Sequence, residues 1–272
     1  MNILLCVAGM PYAEQTVQFG YLIARLFKAS VTLFTVVADE SALSEAQTVL
    51  TALSKQTDVQ VVDKIVRLGG TAVSEIVSEC QAGDYGMVVL GTRLISGLLP
   101  FKRSGVAATI TKEVPIPVLV VKQSPEKLQR LLICMSGQDQ EPVLVQKVLE
   151  LALPARAAVR LLYVADPVPH MYSGLEQMDE TADELLQSGT PIAEQLQQAL
   201  TLLHDASVDA QLVVRHGLVA DEILTEIEES AYDLVIIGAS EHEAFWQALV
   251  MGRISPFVVE NASCSVMVVH HT

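Results

Sequence analysis

Residues 84–93, DYGMVVLGTR, have a counterpart at residues 231–240, AYDLVIIGAS. Each has Tyr and Asp ahead of a run of four apolar residues that ends on glycine. The run is too short for a helix and fits a strand buried on both faces. Working outward, the flanking segments return in the same order. NILLCVAG (2–9) answers to RLLICMSG (130–137), and ASVTLFTVVADE (29–40) to AAVRLLYVADP (157–167). VQVVDKIVRLGGTAVSEIVSEC (59–80) answers to VDAQLVVRHGLVADEILTEIEES (208–230), and EVPIPVLVVK (113–122) to NASCSVMVVH (261–270). A fixed order of matched landmarks is the mark of a tandem duplication. The seam falls at the polar, proline-containing KQSPEKLQR (122–130), so the reading is two domains, 1–124 and 125–272.

Within each copy the hydrophobic period alternates. Val/Ile/Leu runs of strand length separate stretches with helical spacing, such as Val17, Tyr21, Leu22 and Ala24, or Val219, Ile223 and Ile227. Strands alternating with helices imply parallel pairing and right-handed crossovers. Each copy reads as β-α-β-α-β-α-β-α-β, a five-stranded, doubly wound α/β sheet. A ligand would sit at the C-terminal strand ends, near the switch in strand order. The connection 166–206 in copy 2 exceeds its counterpart in copy 1 and is acidic and helix-rich.

Composition narrows the function classes. The chain of 272 residues is 51% apolar with mean hydropathy +0.40, yet no apolar run approaches the ~18 residues of a bilayer span. The first residues carry no basic flank, so the expectation is a soluble, cytoplasmic chain with no membrane role. The formal net charge is −15, which disfavours nucleic-acid binding. Residues 1–124 hold ten acids and ten bases, and the remainder 22 acids and seven bases. An anion meets less repulsion in copy 1. Copy 2 suits a basic protein partner. The four cysteines form no C-x-x-C pair and read as buried hydrophobes. No G-x-S-x-G elbow, metal-ligand spacing or other enzyme signature stands out.

The ordered segments ILLCVAG, LFTVV, VRLGGTAVSEIV, DYGMVVLGTR and SGVAATITKEVPIPVLVVK, with their copy-2 partners, resemble the universal stress protein domain. The resemblance implies a Rossmann-like fold of the adenine-nucleotide alpha hydrolase type, twice over. It also implies pairing of the two final strands, Val118–Val121 with Val266–Val269, as an intramolecular pseudo-dimer, and leaves room for a homodimer of whole chains. In the nucleotide-binding branch of that family the loop after strand four reads G-x-x-G, nine residues, then G-[S/T], with an Asp ending strand one. Copy 1 keeps Gly91, but Leu94 replaces the second glycine, Ser104-Gly105 reverses the closing pair, and Ala8 occupies the Asp position. Its candidate site for ATP, AMP or another anion is Ala8, Gly9, Gly91, Thr92, Arg93, Lys102, Ser104, Gly105 and Val106. Copy 2 departs further. Ser136, Gly238, Gly252 and Arg253 hold the corresponding places, with Glu241 at the second-glycine position. The expectation is therefore a stress-response binding or regulatory protein with degenerate nucleotide loops, not an enzyme and holding no metal. The alternative is an ATP- or AMP-responsive sensor acting through copy 1, or, further off, a slow ATP hydrolase.

Overall fold

The computed structural model describes residues 1–8, 13–92, 105–136, 141–165, 181–239 and 254–270. The first half runs β1 (Asn2–Cys6), α1 (Ala13–Leu26), β2 (Ser30–Val37), α2 (Leu43–Ser54), β3 (Val61–Leu68), α3 (Ala72–Ala82), β4 (Met87–Gly91), α4 (Val106–Glu113) and β5 (Val118–Val121). The second runs β6 (Arg130–Met135), α5 (Glu141–Ala155), β7 (Ala158–Ala165), α6 (Ala182–Gln187), α7 (Pro191–Asp205), β8 (Ala210–His216), α8 (Val219–Glu229), β9 (Leu234–Gly238), α9 (Ile254–Asn261) and β10 (Ser265–Val269). Each half is the α/β alternation read from the repeat. Two compact units result: residues 1–127 with 264–270, and residues 128–263.

In the first unit the strand order is β3-β2-β1-β4-β5-β10. The first five strands are parallel, and β10 joins antiparallel to β5. In the second unit the order is β9-β6-β7-β8, again parallel. The order turns back at β1 and β4, and at β6 and β9, so the crevice expected of a doubly wound sheet lies beyond Cys6 and Gly91 in one copy and Met135 and Gly238 in the other. β1, β4 and β5 are buried almost throughout, as are β6 and β9, which explains their continuous rather than alternating apolar runs. Leu5 lies against Gly20 of α1. A Cβ there would meet the δ-carbons of Leu5 at 2.6 and 3.1 Å, so the Leu5 side chain would have to shift.

The two final strands pair as the family resemblance implies. Val266 stands opposite Val120, Met267 opposite Leu119 and Val268 opposite Val118. Ser265, fully buried at the start of β10, closes the ladder. Its hydroxyl accepts from the backbone N–H of Lys122 (3.1 Å) and Gln123 (3.3 Å) and donates to the Gln123 carbonyl (2.8 Å). The outermost strand β3 carries Asp63, Lys64 and Arg67, and its pairing with β2 shifts register at Val31/Thr32. Charge and a bulge both discourage pairing with stray strands.

The copies also share a helix ending. Lys28 after α1 and Arg156 after α5 have φ of 50° and 54°. Ala29 N–H donates to the Ala24 carbonyl (2.8 Å) and Ala157 N–H to that of Ala152 (3.0 Å), the Schellman closure normally reserved for glycine. A side chain in this left-handed region costs about 1 kcal/mol. Lys28→Gly and Arg156→Gly should therefore each raise the unfolding free energy by about 0.5–1 kcal/mol, measured by urea denaturation. Ser265→Val should lower it by about 1–3 kcal/mol, because three hydrogen bonds of a fully buried hydroxyl are lost.

Candidate functional site

The ligand end of copy 1 is assembled from the tips of β1, β2, β4 and β5. Past β1, the Val7 N–H donates to the Phe34 carbonyl (2.8 Å), and the Val7 carbonyl accepts from the Thr35 hydroxyl (2.8 Å). β2 thus occupies the backbone of the strand tip. Ala8 follows, half-buried, with a methyl group where the resemblance calls for a carboxylate acceptor.

Gly91 ends β4. A Cβ built there would run into the hydroxyl of Thr16, a buried residue of α1, with the Thr16 Cβ 3.3 Å away. The glycine is thus required by the approach of helix to strand, a reason independent of phosphate. Thr92 turns inward, its N–H (3.1 Å) and its hydroxyl (3.4 Å) both donating to the Val121 carbonyl of β5. The described start of the loop is committed to packing and to the sheet.

At the other end of the loop, Gly105 precedes α4 with φ −65° and ψ 14°. Its carbonyl accepts from the Thr109 N–H (2.8 Å) and hydroxyl (2.7 Å). A Cβ on Gly105 would have no heavy atom within 4 Å, so sterics among the described residues do not demand glycine here. Val106 opens α4 half-buried, followed by buried Ala107 and Ala108. The structure brings Ala8, Gly91, Thr92, Gly105 and Val106 to the strand tips and helix start expected of them. Gly9, Arg93, Lys102 and Ser104 lie outside the described residues, as does Leu94.

Copy 2 differs in detail. Ser136 follows β6 and is exposed. Gly238 ends β9, and its carbonyl accepts from the hydroxyl of Ser255 in the first turn of α9 (3.1 Å). The corresponding position in copy 1 is Ala107, which has no hydroxyl to make that tie. Gly252, Arg253 and Glu241 lie outside the described residues. Among the described residues no His/Cys/Asp/Glu cluster is placed to hold a metal ion, and no helix is long and apolar enough to cross a membrane. Burial pushes the Cys6 thiol up and the Cys80 thiol up to about 12, which favours the protonated form of both at neutral pH.

The most buried charges lie elsewhere. Glu79 of α3 accepts from the Arg67 guanidinium of β3 (2.6 Å) and from the Tyr85 hydroxyl ahead of β4 (2.8 Å). Glu226 of α8 accepts from Arg215 of β8 (2.9 Å) and from the Tyr232 hydroxyl ahead of β9 (2.6 Å). Each glutamate is only 6% exposed. Burial, then the glutamate itself, drives both tyrosine hydroxyls above their ordinary range and keeps them donors. Sequence reading passed over this triad. Its one signal was the recurrence of Arg, Glu and Tyr at near-equal spacing in the aligned copies.

Comparison with known proteins places this geometry. The sequence pattern of the Universal stress protein family matches residues 1–122 and again residues 127–270. A universal stress protein of Methanocaldococcus jannaschii is 23% identical over 150 residues, covering 55% of this chain and 86% of that protein. A universal stress protein structure from Archaeoglobus fulgidus superposes with a TM-score of 0.69 at 16% identity, over 99% of this chain and 96% of its own. A protein of unknown function from Pseudomonas aeruginosa reaches 0.73 at 14% identity, over 99% and 92%. The likeness to these two structures is one of fold.

The packing role of Gly91 is open to a double-mutant test. Gly91→Ala should cost about 1–3 kcal/mol in urea denaturation through overpacking against Thr16. Adding Thr16→Ala should cost less than in the parent, with a coupling of at least about 0.5 kcal/mol. Strict additivity would remove Thr16 as the reason for the glycine.

Proposed function

The chain belongs to the universal stress protein family as two tandem copies, and from that premise we propose that it acts in the cytoplasm by binding rather than by turnover. In this reading it is a stress-response regulatory protein whose loops no longer serve nucleotide, with domains 1–124 and 125–272. The acidic second domain meets a basic protein partner, and whole chains are free to form a homodimer. The observation that carries the reading is the commitment of the loop start. The space beside Gly91 is taken by Thr16, Thr92 is bonded to the Val121 carbonyl, and Ala8 has no side-chain acceptor for a nucleoside. A side chain at the second-glycine position, Leu94, adds bulk where bare backbone would wrap phosphate.

One observation favours a second reading, in which copy 1 still responds to ATP or AMP. Gly105 stands before a helix start with open space where a side chain would be, and the loop supplies Arg93 and Lys102, which suit an anion. Slow ATP hydrolysis is the remotest version, since it needs a metal-holding carboxylate near the loop and only Glu241 of copy 2 offers one in the sequence.

A thermal-shift series with ATP, AMP and inorganic phosphate separates these readings. The leading one expects an unchanged melting temperature and no nucleotide in the mass spectrum of small molecules released from the purified chain. Ligand at about 100 times its dissociation constant would add roughly 2.7 kcal/mol, a shift easily seen. Such a shift, abolished in Arg93→Ala/Lys102→Ala, would replace the leading reading with the second. Phosphate release above a blank would bring in the third.

A further inference from the structure

The two copies have drifted apart at their ligand loops and kept the same buried Arg–Glu–Tyr triad. Its position is mechanical. β3 and β8 are the outermost strands, each hydrogen-bonded on one side, to β2 and β7. α3 and α8 follow them, and Tyr85 and Tyr232 lie in the connections that lead back to the centre of the sheet. One carboxylate therefore ties the outer strand, its following helix and the entry to the next inner strand. We propose that this triad is a latch holding the outer strand–helix segment closed in each copy, and that the two latches are graded, so that β3–α3 opens before β8–α8.

Two independent observations set the grading. In copy 1, Arg67 binds one carboxylate and its side chain is 48% exposed. In copy 2, Arg215 is 20% exposed and binds three: Glu222 (2.8 Å), Glu226 (2.9 Å) and Glu229 (2.9 Å). These glutamates sit at three- and four-residue spacing on one face of α8, so a single guanidinium grips the helix along two turns. The strands themselves differ in the same direction. β3 has five exposed residues of eight, and β8 one of seven. An outer strand with few buried side chains depends more on its latch, and segments of this kind unfold locally below the global transition. Opening β3–α3 bares the outer hydrogen-bonding edge of β2, a template for an extended segment of another chain. The device works the same way whether or not any nucleotide binds.

Native-state hydrogen exchange with peptide-level mass spectrometry, in rising urea below the global transition, tests both parts on the full chain. Peptides within 61–82 are expected to exchange ahead of those within 210–229. Glu79→Gln should accelerate exchange in 61–82 by at least about 10-fold, the loss of one charged hydrogen bond, and leave 210–229 unchanged. Arg215→Lys, which keeps the charge but loses the fork, should bring 210–229 toward the behaviour of 61–82. Tyr85→Phe, which removes a single bond from the same carboxylate, repeats the first test if Glu79→Gln does not fold. Exchange of both segments together with the whole chain, or of 210–229 first, overturns the grading. Uniform acceleration over the chain in Glu79→Gln, or in Tyr85→Phe where that stands in, overturns the latch.

Discussion

β5 is a strand of four residues, Val118–Val121, with every side chain buried. A bare edge of that composition would pair with any extended chain it met, so its second side has to be covered. β10 covers it from within the same chain, residue for residue against Val118, Leu119 and Val120. The consequences extend beyond the ladder. With β5 fixed, the Val121 carbonyl is in place to hold Thr92, which fixes how the loop leaves β4. At the same end of β5 Ser265 secures Lys122 and Gln123, and so the start of the segment that leads to β6. A single strand pairing thus shapes both the start of the candidate site and the exit toward the second copy.

The second constraint is the closeness of α1 to β4. A glycine at a strand tip beside a loop invites a phosphate reading, because glycine lets backbone approach a ligand. At Gly91 the approaching group is the Thr16 hydroxyl of the same copy. The same residue type therefore satisfies two different demands, and sequence alone does not separate them. Gly105 contrasts with it, since no neighbour in the described fold excludes a side chain there.

What was legible in the sequence follows from the range of the interactions. The buried strands announce themselves because four to five consecutive apolar residues are needed wherever both faces are covered, and the duplication doubled that signal. The final-strand pairing was available through the family resemblance. The roles of Thr16, Ser255 and the Arg–Glu–Tyr triad were hidden, because each depends on partners from 6 to 75 positions away, brought together only by the packing of helices on the sheet. Lys28 and Arg156 were hidden for a local reason. A helix closure that usually takes glycine here takes a long basic side chain in each copy, at a cost in backbone energy that composition does not reveal.

Comparing the copies with each other gives the last step. Where a ligand would sit, they disagree: Ala8 against Ser136, Gly105 against Arg253, and Ala107 against Ser255, whose hydroxyl ties the Gly238 carbonyl. Where the fold is held together, they agree: the buried glutamate, its tyrosine and arginine, and the left-handed helix closure. A duplicated chain serving two equal ligand sites would be expected to keep both ends alike. This one keeps its frame in duplicate and lets its loops diverge. The charge division points the same way, with copy 1 balanced and copy 2 carrying the whole acidic excess.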